Sequence, residues 1–129
     1  MYKIKTKRDI DNFIKQSNGL HDGYILSVQY CNNGIKHLDG GGYEISCEAN
    51  ELKIRILITS ISDAEIELIF REISEWQIFD NMWDITDTAV SFSDDGMIVW
   101  TDGLTTDKST RREGSYVVAR SMEYRFCNA

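Results

Sequence analysis

The sequence predicts an α+β domain: a mainly antiparallel sheet of about six or seven strands with a short N-terminal helix. Three observations carry that prediction. Apolar residues recur once at helical spacing, directly behind a capping pair near the N-terminus. Elsewhere they alternate with polar residues at period two, in runs separated by Gly, Asn and Asp. The 129 residues include no Pro, so nothing bars a strand from the middle of a sheet.

Thr6 followed by Asp9 resembles a capping pair, and Ile10, Phe13 and Ile14 continue as one apolar stripe. With Asn18-Gly19 as a stop signal, this predicts a helix over 7–17. His21-Asp22-Gly23 then turns the chain into a strand over 24–31. There Tyr24, Leu26, Val28 and Tyr30 alternate with Ile25, Ser27, Gln29 and Cys31, the pattern of a strand buried on one face. Asn32-Asn33-Gly34 signals a turn, Gly40-Gly41-Gly42 a flexible loop, and 43–48 a further strand.

The clearest strand follows, with Leu52, Ile54, Ile56 and Ile58 alternating with Lys53 and Arg55. In the next, Ile66, Leu68 and Phe70 face away from Glu65, Glu67 and Arg71. The two pair as a hairpin across 60–63, with Lys53 and Arg55 set against Glu65 and Glu67. The stretch 74–85 carries Trp76, Phe79, Met82 and Trp83 at spacings of three and four, which suits a helical turn or an irregular loop folded on the core.

Asp94-Asp95-Gly96 separates two short strands, and their register can be argued. A two-residue Asp95-Gly96 turn would set Phe92 opposite Val99 and Val90 opposite Thr101. A three-residue loop with Gly96 left-handed sets Phe92 against Ile98 and Val90 against Trp100. The second aligns four large apolar residues and is the register expected. The polar stretch 102–114 loops out, and 115–126 reads as a long last strand. With no repeat, linker or shift in composition, 1–129 is read as a single domain.

An apolar fraction of 42% and a charged fraction of 27% are those of a folded globular chain. No apolar run approaches the roughly 20 residues of a bilayer-spanning helix. The basic N-terminus lacks the apolar run of a signal peptide. Cys31, Cys47 and Cys127 are odd in number and contain no CxxC pair, so neither a disulfide framework nor a zinc site is expected. A cytoplasmic protein with reduced thiols is the expectation.

The net charge is −7, and it is unevenly spread. Between residues 60 and 95, ten acids (Asp63, Glu65, Glu67, Glu72, Glu75, Asp80, Asp84, Asp87, Asp94, Asp95) face a single base, Arg71. The remaining bases gather towards the ends. Such a field disfavours nucleic acid as a partner and favours a basic protein. The plainer reading of the same acids is a solvated surface.

Motifs for catalysis are missing. His21-Asp22 resembles the His-Asp motif of metal-dependent phosphohydrolases, but that site needs further histidines and a distant aspartate, and only His37 remains. The simpler role of His21, Asp22 and Gly23 is a structural turn between helix and strand. There is no Gly-x-Ser-x-Gly elbow and no phosphate loop, so no cofactor or metal is expected. The segment 75–84 is different, because Trp76 and Trp83 stand among Asp80 and Asp84. Aromatic anchors ringed by charge are interface material, so these four are the candidate partner-binding residues; the alternative for the tryptophans is burial in the core.

The order of parts is a short amphipathic helix, Leu20-His21-Asp22-Gly23-Tyr24-Ile25-Leu26-Ser27-Val28, the strands 52–59 and 66–70, Val99-Trp100, and a long last strand through Ala119-Arg120-Ser121. In this the chain resembles small bacterial domains with a helix, His-Asp, strand opening. Some of these are uncharacterised and some are grouped with the immunity proteins of polymorphic toxin systems. The resemblance covers most of the chain, rests on the His-Asp pair as its only local motif, and does not extend to the insertion at 35–42. It implies no catalytic residues, since immunity proteins act by covering a toxin. Three readings follow: a non-enzymatic module binding a basic protein such as a toxin, a small hydrolase or ligand-binding domain around His21, Asp22 and His37, and a homodimer formed through a sheet edge.

Overall fold

Residues 1–36, 40–44, 49–79 and 84–127 are described by a computed structural model of the chain. The elements in chain order are β1 (Tyr2–Lys3), α1 (Lys7–Ser17), β2 (Gly23–Asn32), β3 (Ile35–Lys36), β4 (Tyr43–Glu44), β5 (Asn50–Ile58), β6 (Ala64–Gln77), β7 (Ala89–Phe92), β8 (Ile98–Thr101) and β9 (Tyr116–Cys127). Seven of the strands form one antiparallel sheet in the order β2-β5-β6-β9-β8-β7, with β1 paired to β9. The strands β3 and β4 pair with each other. No helix among the described residues is long and apolar enough to cross a membrane.

The helix begins and ends where its caps require. The Asp9 amide donates to Thr6 Oγ1 at 3.2 Å, and the Thr6 amide donates to Asp9 Oδ2 at 3.0 Å. These two bonds satisfy amides that a helix start leaves open. Asn18 closes the far end in the left-handed region with φ 52°. Ile10 and Phe13 are buried, and the Phe13 ring meets Tyr124 of β9 at 5.0 Å, which seats the helix on one face of the sheet.

That face is the core. Leu52, Ile54 and Ile56 lie opposite Phe70, Leu68 and Ile66, and all six are wholly buried. Tyr124 and Met122 of β9 extend the same layer, being opposite Leu68 and Phe70. The hairpin β7–β8 adds Ile98 and Trp100, in the expected register: Phe92 pairs with Ile98 and Val90 with Trp100. Gly96, at φ 81°, closes the three-residue loop.

Alternation breaks once in the middle of β6. The core positions step from Phe70 to Ile73, and in the facing strand from Met122 to Ala119. Between them Glu72 stands at φ 54°, a left-handed conformation that costs a non-glycine residue about 1–2 kcal/mol. The buried Asn50 side chain repairs the interrupted ladder. Its Nδ2 donates to the Ile73 carbonyl at 2.9 Å and its Oδ1 accepts from the Ile73 amide at 2.7 Å. Two such bonds contribute about 0.5–1.5 kcal/mol each, enough to offset the strain.

Two expectations are corrected here. Residues 74–77 continue β6, pairing with β9 through Trp76 opposite Val117, rather than forming a helical turn or loop. The register shift between Ile73 and Glu75, next to the left-handed Glu72, is the reason. Bulges stretch period two towards three, so Phe70, Ile73 and Trp76 imitate helical spacing. The second correction concerns β2, whose apolar set is not buried: Tyr24, Leu26, Val28 and Tyr30 are 44%, 48%, 39% and 40% exposed. A register shift at Leu26 places Tyr24 opposite Leu57 but Val28 opposite Ile54 and Tyr30 opposite Leu52, on different faces. Being an edge, β2 also lacks a described strand on its far side.

The outer face carries charge in cross-strand rows. Arg71 bridges Glu51 at 2.9 Å and Glu123 at 3.2 Å, and Arg125 meets Glu67 at 3.0 Å. The expected pairing of Lys53 and Arg55 with Glu65 and Glu67 holds only for Arg55, which is opposite Glu67. Lys53 faces Ile69, and Glu65 faces Leu57.

Candidate functional site

Past the register shift between Ile73 and Glu75, β6 carries Trp76 to the surface, where its ring stacks on Tyr30 of β2 at 5.1 Å and 26°. Trp76 is 36% exposed and Phe79, three residues on, is 56% exposed. Val28, on the same side of β2 as Tyr30, extends the apolar surface.

A clamp from the 102–114 loop holds this segment. Gln77 Nε2 donates to the carbonyls of Arg112 and Gly114, each at 3.0 Å. The Phe79 amide donates to Ser115 Oγ at 2.9 Å. The Ser115 amide in turn donates to Asp102 Oδ1 at 2.9 Å, and Asp102 returns a bond from its own amide to the Ser115 carbonyl at 3.1 Å. A Cβ at Gly114 would stand 2.6 Å from Asp102 Oδ1, so any side chain there would displace the carboxylate that the Ser115 amide binds. Burial pushes the Asp102 carboxyl above its ordinary value, against the pull of the Ser115 bonds.

Folding also redistributes charge. Glu75, beside Trp76, lies 3.6 Å from both Arg111 and Arg112. Arg111 is itself largely buried over the Tyr116 ring. Bases from the C-terminal third therefore sit against acids of the middle third. The acidic block of the sequence is partly neutralised in the fold.

The His-Asp-Gly junction stands at the other end of β2. Seven residues separate Gly23 from Tyr30, roughly 20 Å at ~3.3 Å per residue. The His21 ring donates from Nδ1 to the Thr86 carbonyl at 2.9 Å, and its Nε2 lies 3.6 Å from Asp22 Oδ1. The Thr86 carbonyl raises the His21 pKa above its ordinary value, and Asp22, Asp87 and Asp84 add to that. The Asp22 carbonyl accepts from Thr59 Oγ1 at 3.0 Å, and the residue itself is left-handed at φ 58°. A Cβ at Gly23 would stand 2.7 Å from the Leu20 carbonyl, so this position requires glycine. Gly23 and Ile85 exchange backbone bonds of 3.3 and 2.6 Å, tying the run before β7 to the start of β2.

The candidate residues thus divide. Trp76 joins Tyr30 at one end of β2, and the half-buried Asp84 acts on His21 at the other. Asp80, Trp83 and His37 lie outside the described residues, as does Cys47. Among the described residues no group of three or more His, Cys, Asp and Glu could hold a metal ion. Phe79 falls in the aromatic and acidic stretch 75–84 that the sequence singles out, whereas Tyr30 and Val28 are surface residues that sequence reasoning did not select. One signal pointed to them: the alternate set in β2 is Ser27, Gln29 and Cys31, with no charge to mark a solvent face. Set against protein-family profiles, curated proteins and solved structures, the chain matches none.

Proposed function

We propose that the chain is a non-enzymatic protein-binding module whose partner is a basic protein, as an immunity protein's toxin would be. The observation that carries this reading is the exposed Tyr30–Trp76 stack, with the exposed Phe79 three residues further along the chain and a clamp of hydrogen bonds holding the segment. Large rings held rigid at a surface lose little conformational entropy on binding and supply most of the contact energy in many interfaces. The net charge of −7 would speed the approach of a basic partner. The resemblance in the opening residues supports an immunity role.

Co-expression with the products of neighbouring genes, followed by binding kinetics, tests the reading. A stoichiometric basic partner is expected, with Trp76→Ala raising its dissociation rate by tenfold or more, on the order of 1.4 kcal/mol. Charge reversal at Asp80 and Asp84 should slow association and flatten its salt dependence. Binding that none of these changes affects would sink the proposal.

A further inference from the structure

The two edges of the sheet are finished differently. At one edge β7 is four residues long, with Ser91 Oγ 2.7 Å from Thr106 Oγ1 and α1 close beside it. At the other, β2 runs for ten residues without a charged side chain or Pro. Leu26 to Tyr30 are five consecutive exposed residues. From Tyr24 to Cys31, β2 pairs on one side only among the described residues, with β5. Edge strands of monomeric proteins are ordinarily short, charged or broken by Pro, because an open ladder recruits another strand. The Gly23–Ile85 bridge and the Leu26 bulge close only the first part of this edge. Past them, Ser27 to Cys31 is regular and centred on Gln29.

We propose that this edge pairs with the same edge of a second copy, antiparallel about Gln29, so that the two sheets join across a two-fold axis. Charge selects this occupant. Two chains of net −7 can approach through β2 without bringing like charges together, whereas a basic strand would find no carboxylate along it. The register matches face to face. Val28 falls opposite Tyr30 of the second copy on the apolar side, and Ser27 opposite Cys31 on the polar side. Trp76, Tyr30 and Val28 then run into their counterparts as one row. A contact of one strand is at the small end of stable interfaces, so a micromolar dimer is expected.

Sedimentation of the chain alone, from about 1 to about 300 μM, reads the dimer without any other partner, so this proposal and the binding reading can fail separately. Gln29→Glu is the informative variant. Within one chain it faces Lys53, which favours the fold, while across the axis it sets two carboxylates against each other. The expected result is a dimer whose dissociation constant rises at least tenfold in Gln29→Glu, with an unchanged melting temperature in dilute solution. In a Cys31→Ser background, Gln29→Cys should oxidise to a disulfide-linked dimer, because directly opposed Cα atoms lie about 4.5–5.5 Å apart. A wild-type chain that stays monomeric throughout overturns the proposal, as does a dimer indifferent to Gln29→Glu or one that Gln29→Cys cannot link. A monomer that instead takes another protein's strand on β2 overturns it too.

Discussion

β5 and β2 are neighbours, and both carry apolar residues at every second position, yet they end in opposite environments. In β5 the set Leu52, Ile54, Ile56 and Ile58 is wholly buried; in β2 each of Tyr24, Leu26, Val28 and Tyr30 is exposed. Ile54 and Val28 even stand directly opposite each other. Alternation therefore reports that a run is a strand, while burial depends on where the strand falls in the sheet. A central strand has neighbours on both sides and a covered face. An edge strand with a bulge has neither in full, and its side chains become available for contacts with other molecules.

The sharpest test is that facing pair. Ile54→Ala should lower stability by about 2–4 kcal/mol, through lost burial and a cavity between β5, β6 and the helix layer. Val28→Ala should cost under about 1 kcal/mol in dilute solution, where the edge is uncovered. Urea unfolding of both variants decides the matter, and equal losses would mean that β2 is as buried as β5.

Asn50→Ala comes next. It leaves the Ile73 amide and carbonyl without their side-chain partners, at a cost of about 2–3 kcal/mol. Hydrogen exchange should then quicken in 73–77 before it changes in 64–70. A uniform change along β6 would show that the bulge is no boundary between the buried half and the half that carries Trp76.

Glu72→Gly should be neutral or stabilising by up to about 1 kcal/mol, since glycine accepts a positive φ that glutamate does not. A clear loss would give the Glu72 side chain a role beyond the bend.

The smallest effect concerns the clamp behind Phe79. Because the Asp102 carboxyl is raised above its ordinary 3.8, its contribution to stability is complete below that pH and falls as pH rises through the folded value. Asp102→Asn keeps an acceptor for Ser115 and removes the desolvated charge. It should raise stability slightly at pH 7, by under about 1 kcal/mol for a part-exposed group, with the gain vanishing below pH 3.8. A loss at pH 7 would mean that the charge itself holds the aromatic segment.

Some of this was open to reading from the chain, and the physics is local wherever it was. Thr6 and Asp9 lie within one turn and cap the helix whatever surrounds them. Gly96 accepts the left-handed position of its loop, and the four large side chains around it align in only one of the two registers. The β5–β6 hairpin follows from two alternating runs with a short turn between them. Trp76 was marked as a candidate, but not Tyr30, its partner in the stack. Those two residues are 46 positions apart and meet only in the folded sheet, past the register shift in β6.

By itself, then, the sequence determined the elements, the mainly antiparallel sheet and the registers set by short turns, because caps, alternation and turn chemistry act between residues a few positions apart. Tertiary structure alone decided which alternating strand would be the edge, where β6 would shift its register, and which acids would meet the arginines of the C-terminal third. Each of those outcomes depends on strand order and on contacts between distant residues, which no local pattern encodes.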